Sequence, residues 1–65
     1  MIVVNGEPIT GAEGTNLRSY LEEAGYSLQR IAVERNGEIL PRDRYAEIVL
    51  MDGDTLEVVQ FVGGG

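Results

Sequence analysis

Two Asn-Gly dipeptides, at positions 5–6 and 36–37, each stand between short runs of β-forming residues, and they restrict the fold of this 65-residue chain more than any other feature. Asn and Gly both tolerate positive φ, which a two-residue type I′ hairpin turn requires at both of its central positions. The first pair joins "MIVV" to "EPIT"; the second joins Ile31–Arg35 to Glu38–Leu40. Two hairpins are therefore expected, one at each side of whatever lies between. Pro8 has no N–H to give to a ladder, so its strand belongs at a sheet edge.

Between the hairpins, Leu17, Tyr20, Leu21 and Ala24 recur at helical spacing and put one apolar stripe on a single helix. Thr15 or Asn16 is placed to cap its start, and Gly25 to close its end in the left-handed conformation. Arg18, Ser19, Glu22 and Glu23 form the solvated side. Glu22 and Glu23 are no catalytic carboxylate pair, because adjacent helical residues point about 100° apart. After the second hairpin Pro41 stops the strand. "RDRYAE" (42–47) is expected to make a turn or a single helical turn that tucks Tyr45 inward, and Ile48–Met51 to pair briefly as a strand. Asp52-Gly53-Asp54 reads as a tight turn, since a calcium loop needs further oxygen ligands and a distal Glu that are absent here.

The final strand, expected from Thr55 to Val62, is the longest. Alternation puts Leu56, Val58, Gln60 and Val62 on one face and Thr55, Glu57, Val59 and Phe61 on the other. One helix covers one face only. If it lies over Leu56 and Val58, then Val59 and Phe61 either meet a covering loop or form a docking spot for a partner. The element order, two hairpins around one helix and then a strand, gives an α+β fold of two layers: a mixed sheet of four or five strands with one main helix on one face. A long, β-branched final strand suits a central, parallel position.

Composition narrows the chemistry. So short a chain buries about 60% of its unfolded surface, which leaves no room for a deep active-site cavity. With no cysteine and no histidine it has no disulfide, no thiolate nucleophile, and neither the usual zinc ligands nor the usual general base. No metal or bound cofactor is expected. Eleven acidic residues against five arginines give a net charge of −6, which disfavours nucleic acid and anionic membranes and favours a protein partner with a basic patch. There is no lysine, so no side-chain amine is available for acylation by the chain's own terminus. The opening residues lack the basic, apolar pattern of a leader and no run approaches the ~20 apolar residues of a membrane span, so a cytoplasmic location is expected.

"VNG" near the start, "NGEILPR" in the middle, "DGD" before the last strand and "FVGGG" at the end, in this order and spacing, resemble the ThiS sulfur carriers of thiamin biosynthesis over essentially the whole chain. Tyr45 stands where some relatives have tryptophan, and there are three terminal glycines where two are the minimum. At average glycine usage, two terminal glycines arise by chance in roughly 0.5% of chains. The resemblance implies a ubiquitin-like β-grasp domain over residues 1–62, with the first and last strands parallel at the centre of the sheet, and a flexible glycine tail over 63–65. It implies that the domain is not an enzyme. A ThiF-like enzyme would use ATP to adenylate Gly65; sulfur from a persulfide donor would replace AMP to give a thiocarboxylate; a ThiG-like thiazole synthase would take the sulfur. Gly63 and Gly64 would enter the partner's active site, and Val59 and Phe61 would belong to the docking surface. Other destinations for the same chemistry are a MoaD-like role in molybdopterin synthesis or a ubiquitin-like modifier, and a domain of another class would be a non-covalent β-grasp interaction module.

The tail has a physical rationale that is independent of any family. A carboxylate must be joined to a good leaving group before a nucleophile can attack it, and this requires another protein's active site. Glycine has no Cβ and takes almost any φ and ψ, so a glycine strand fits a narrow channel.

Overall fold

The computed structural model describes residues 1–61; the expected tail, Gly63–Gly65, and Val62 before it lie outside the described residues. Five strands, β1 (Ile2–Val4), β2 (Glu7–Ile9), β3 (Ile31–Arg35), β4 (Glu38–Leu40) and β5 (Thr55–Gln60), form one sheet in the order β2-β1-β5-β3-β4. The helix α1 (Leu17–Glu23) lies on one face, and two 3₁₀ segments, Leu28–Arg30 and Arg42–Glu47, fill the connections. β1 runs parallel to β5 at the centre, and every other pairing is antiparallel. The expected architecture is present, with five strands, and Pro8 sits on the edge strand β2.

Both Asn-Gly turns have positive φ at both positions, 51° and 81° for Asn5 and Gly6, and 53° and 87° for Asn36 and Gly37, as type I′ geometry demands. Their Asn side chains do more than permit the turn. Asn5 Oδ1 accepts the Val58 N–H at 2.7 Å while Asn5 Nδ2 donates to the Val58 carbonyl at 3.2 Å. The amide acts as a peptide group that continues the β1–β5 ladder after β1 has turned away. Asn36 mirrors it on the opposite flank of β5. It accepts the Thr55 N–H on Oδ1 at 2.9 Å and donates from Nδ2 to Asp54.

Alternation along the strands decides what is buried. Ile2, Val4, Ile31, Val33, Leu56 and Val58 point under α1 and meet Leu17 and Leu21 from the helix, with Ala12, Tyr45 and Leu50 closing the sides. The largest of these are fully buried, each worth about 1.5–3 kcal/mol relative to exposure. The 3₁₀ segment brings Tyr45 in as expected. Asn16 is the N-cap, its Oδ1 accepting the Ser19 N–H at 3.1 Å, while the Thr15 hydroxyl donates to the Ala12 carbonyl instead. At the other end Gly25 has φ 92°; its N–H donates to the Glu22 carbonyl and the Tyr26 N–H to the Leu21 carbonyl. That pair of bonds closes the helix as a Schellman motif.

Three expectations change. Ala24 is exposed, because the helix ends at Glu23 and Ala24 is its C-cap, so the core stripe is Leu17 and Leu21 with Tyr20 half-buried. The segment around Val49 forms a single bridge to Asn16 and joins no sheet strand. The last strand ends at Gln60, although the Phe61 N–H still donates to the Arg30 carbonyl at 2.7 Å.

Candidate functional site

The candidate site is the root of the glycine tail and the sheet face beside it. β5 carries both, and it is held on both flanks. On one side the β3 ladder runs from Arg35↔Leu56 to Ile31↔Gln60 and is extended by the Phe61 bond to Arg30. On the other, β1 pairs at Val3↔Thr55 and Val4↔Leu56, the Asn5 N–H donates to the Leu56 carbonyl at 2.9 Å, and the Asn5 side chain grips Val58. The backbone of β5 is therefore pinned on both flanks, and on the β3 side as far as Phe61, the last described residue.

On the face away from α1, Val59 lies opposite Ala32, and Val59 and Phe61 are 55% and 53% exposed. No described loop covers them, which removes one of the two alternatives that the strand's alternation left open. Further from the tail on the same face, Glu57 lies directly opposite Glu34, and Glu34 in turn opposite Ile39, which is 75% exposed. Apolar side chains nearest the tail thus give way to acidic ones two residues back along β5.

Asp54 anchors the near end of β5, and sequence reasoning took it only for a turn residue. It is 5% exposed. Oδ2 accepts from Arg35 Nε at 3.0 Å and from the Met51 N–H at 2.9 Å, with the Arg35 Nη2 charge also 3.0 Å away, and Oδ1 accepts from Asn36 Nδ2 at 3.1 Å; Nη2 itself donates to the Val49 carbonyl. Burial alone pushes its carboxyl up, but the bonds from Met51, Asn36 and Arg35 and the Arg35 charge outweigh it, and the group titrates below the usual carboxylate range. A signal for this partner was present in β3. Arg35 shares the alternation of Ile31 and Val33, and a cation on the buried face requires an acid near by.

Two shallow hollows flank α1, one of about 160 Å³ between Ile9, Ala12, Thr15, Tyr20 and Glu23, the other of about 240 Å³ between Arg18, Leu28, Arg42 and Tyr45. Both are smaller than the usual range of ligand pockets, about 300–1,000 Å³, and neither opens on the tail root. Among the described residues no cluster of three or more carboxylates could hold a metal ion, and no helix is long and apolar enough to cross a membrane.

The family model for ThiS matches residues 2–65, which includes both hairpins, the helix, β5 and the glycines. The chain belongs to the ThiS family. The Bacillus subtilis sulfur carrier protein ThiS is 40% identical over the full length of both chains. A crystal structure of a thiamine biosynthesis protein (ThiS) from Geobacter metallireducens superposes with a TM-score of 0.77 at 34% identity, covering 98% of this chain and 97% of that one. A thiazole synthase from Paramagnetospirillum magneticum is 42% identical over 64 residues, but this ThiS-family chain spans only about a fifth of its length, 20%. Some thiazole synthases thus carry a segment similar to this domain. None of this bears on the individual site residues: Gly63, Gly64 and Gly65 lie outside the described residues, and exposure at Val59 and Phe61 is necessary for docking without identifying a partner.

Proposed function

We propose that this ThiS-family chain is the sulfur carrier of thiamin biosynthesis, a protein co-substrate and not an enzyme. The observation that carries this reading is the continuity of the family match through the glycines together with the placement of their root: β5 is central, pinned on both flanks, and borders an exposed apolar face. A partner that docks on Val59 and Phe61 is positioned to receive whatever follows.

In the proposed cycle a ThiF-like enzyme binds and uses ATP. The Gly65 carboxylate attacks the α-phosphorus, pyrophosphate leaves, and an acyl-adenylate forms. The terminal sulfur of a persulfide attacks the acyl carbon and AMP departs. A thiol reductant cleaves the resulting acyl disulfide, leaving a thiocarboxylate on Gly65. The domain supplies no acid, base or metal for these steps; Gly63 and Gly64 supply a backbone without side chains. The ThiS-like segment within thiazole synthases favours thiazole formation over molybdopterin synthesis as the destination. A ThiG-like thiazole synthase is accordingly the proposed acceptor and the cytoplasm the proposed location.

Intact-protein mass spectrometry tests the proposal. After incubation with ATP, a ThiF-like enzyme and a persulfide source, the chain should gain the mass difference between one oxygen and one sulfur. Deleting Gly65 should abolish the gain. An unchanged mass, under conditions in which an established carrier reacts, would return the chain to the class of non-covalent interaction modules.

A further inference from the structure

Resting on the docking reading above, we propose that the protein seated on the open sheet face contributes a cationic side chain, an arginine or lysine, that lies between Glu34 and Glu57. The register places these two glutamates directly opposite one another on β3 and β5. Cross-strand neighbours of this kind have Cβ atoms about 4.5–5.5 Å apart, and like charges there destabilise a sheet.

No described cation relieves this repulsion. The ion pairs among the described residues join Arg18 to Glu22, Arg35 to Asp54, Arg44 to Glu47 and the N-terminal amine to Glu13 and Asp52, and none reaches Glu34 or Glu57. Arg42 donates to the Ile31 carbonyl, and Arg30, whose carbonyl accepts the Phe61 N–H, ends the 3₁₀ segment before β3. Both glutamates are exposed. A cation placed between them removes the repulsion and gains two carboxylates at once, a geometry that the planar fork of arginine suits especially well.

The surroundings define the partner further. Ile39 beyond Glu34 and Val59 two residues along β5 are both exposed apolar side chains. They bracket the acidic pair, so the long stem of an arginine or lysine has apolar surface to lie on. Two residues of strand are about 6.8 Å. The partner surface therefore has an apolar contact for Val59 and Phe61 close to the mouth that takes the tail, and its cation about 7 Å further out. A second copy of this chain does not fit the face. Isologous pairing would bring four carboxylates together, and the net charge of −6 opposes association in any case.

The test measures association of the full chain with the purified adenylating enzyme at 50 and 500 mM salt. It compares wild type with the double variant Glu34→Gln/Glu57→Gln and with Val59→Ala. The double variant should associate about tenfold more slowly at low salt and match wild type at high salt. Its Tm should equal or exceed that of wild type, because a repulsion has been removed. If Val59→Ala weakens binding but the double variant keeps the wild-type rate and salt dependence, the face docks without a cation and the inference falls alone. A lowered Tm in the double variant would make the glutamates structural and overturn it too. If wild type does not bind, or sediments as a dimer that Val59→Glu splits, the docking reading fails and takes this inference with it.

Discussion

Replacing Asp54 by alanine should cost this domain about 3 kcal/mol, near the lower end of what breaking a buried ion pair usually costs. The residue is 5% exposed, and its carboxylate accepts three hydrogen bonds, one each from Arg35 Nε, Asn36 Nδ2 and the Met51 backbone, with Arg35 Nη2 forming the ion pair beside them. Bonds to a charged group contribute about 1.5–3 kcal/mol each when counted singly. They do not add here, because the Arg35 side chain is 27% exposed and water recovers part of its loss. At the stability typical of native domains, 65 residues carry about 3–10 kcal/mol in total, so the loss is a third or more of the whole. A domain of this size moves about 4–8 °C per kcal/mol, which puts the fall in Tm at about 12–24 °C. Urea denaturation at pH 7 measures it directly, and Asp54→Asn, which keeps the shape and one acceptor, should lose about half as much. Because the folded-state carboxyl titrates below its unfolded value, its contribution is complete above about pH 4 and disappears as pH falls through the folded value. The gap between wild type and Asp54→Asn should therefore close in acid. A loss under about 1 kcal/mol at pH 7, or a gap that widens as the pH falls, would refute the reasoning by showing that Asp54 is merely a turn residue.

Asn5→Ala should destabilise by about 2 kcal/mol, since it removes both bonds to Val58 and leaves a non-Gly residue at φ 51°; hydrogen exchange should show the Val58 amide losing protection more than the Ile31 amide, and equal loss would mean that the clamp is not local. Phe61→Ala should leave Tm within about 4 °C, the shift of a change near 0.5 kcal/mol, because the ring is half exposed, while weakening binding to the adenylating enzyme by about tenfold, the loss of one modest hot spot. Binding and stability that fall together would put Phe61 in the core. A side chain at Gly64, even that of alanine, should block adenylation with Tm unchanged, as followed by pyrophosphate release; normal turnover would show a channel wider than bare backbone requires.

How much of this was legible in the sequence depended on how local the cause was. The hairpin turns, the edge position of Pro8, the helix stripe at Leu17 and Leu21 and the inside-outside parity of β5 follow from dihedral preferences and periodicity over a few residues, and all appear in the structure. Ala24 was misassigned because helical spacing continues past the point where Gly25 turns the backbone left-handed. The Asn5 grip on Val58 and the Arg35–Asn36–Asp54 cluster were missed for the opposite reason, since they join residues 53 and 18–19 positions apart. Only the unpaired Arg35 on the buried parity hinted at the second. For the candidate site, the exposure of Val59 and Phe61 was half legible. Alternation gave their face, but whether a loop crosses it depended on tertiary structure.

The pinning of β5 has a mechanical consequence. A partner that draws the tail into a channel pulls along a central strand whose load is shared in shear by the β1 and β3 ladders and by the Asn5 amide. Lengthening the tail by peeling β5 would break all of these at once, so the reach of the carrier is set by the residues after Phe61 alone. Val62 to Gly65 are four residues, and fully extended they span at most about 14 Å. In the proposed cycle, an enzyme that docks on Val59 and Phe61 and acts on Gly65 would hold its reacting atoms no deeper than that below the sheet face.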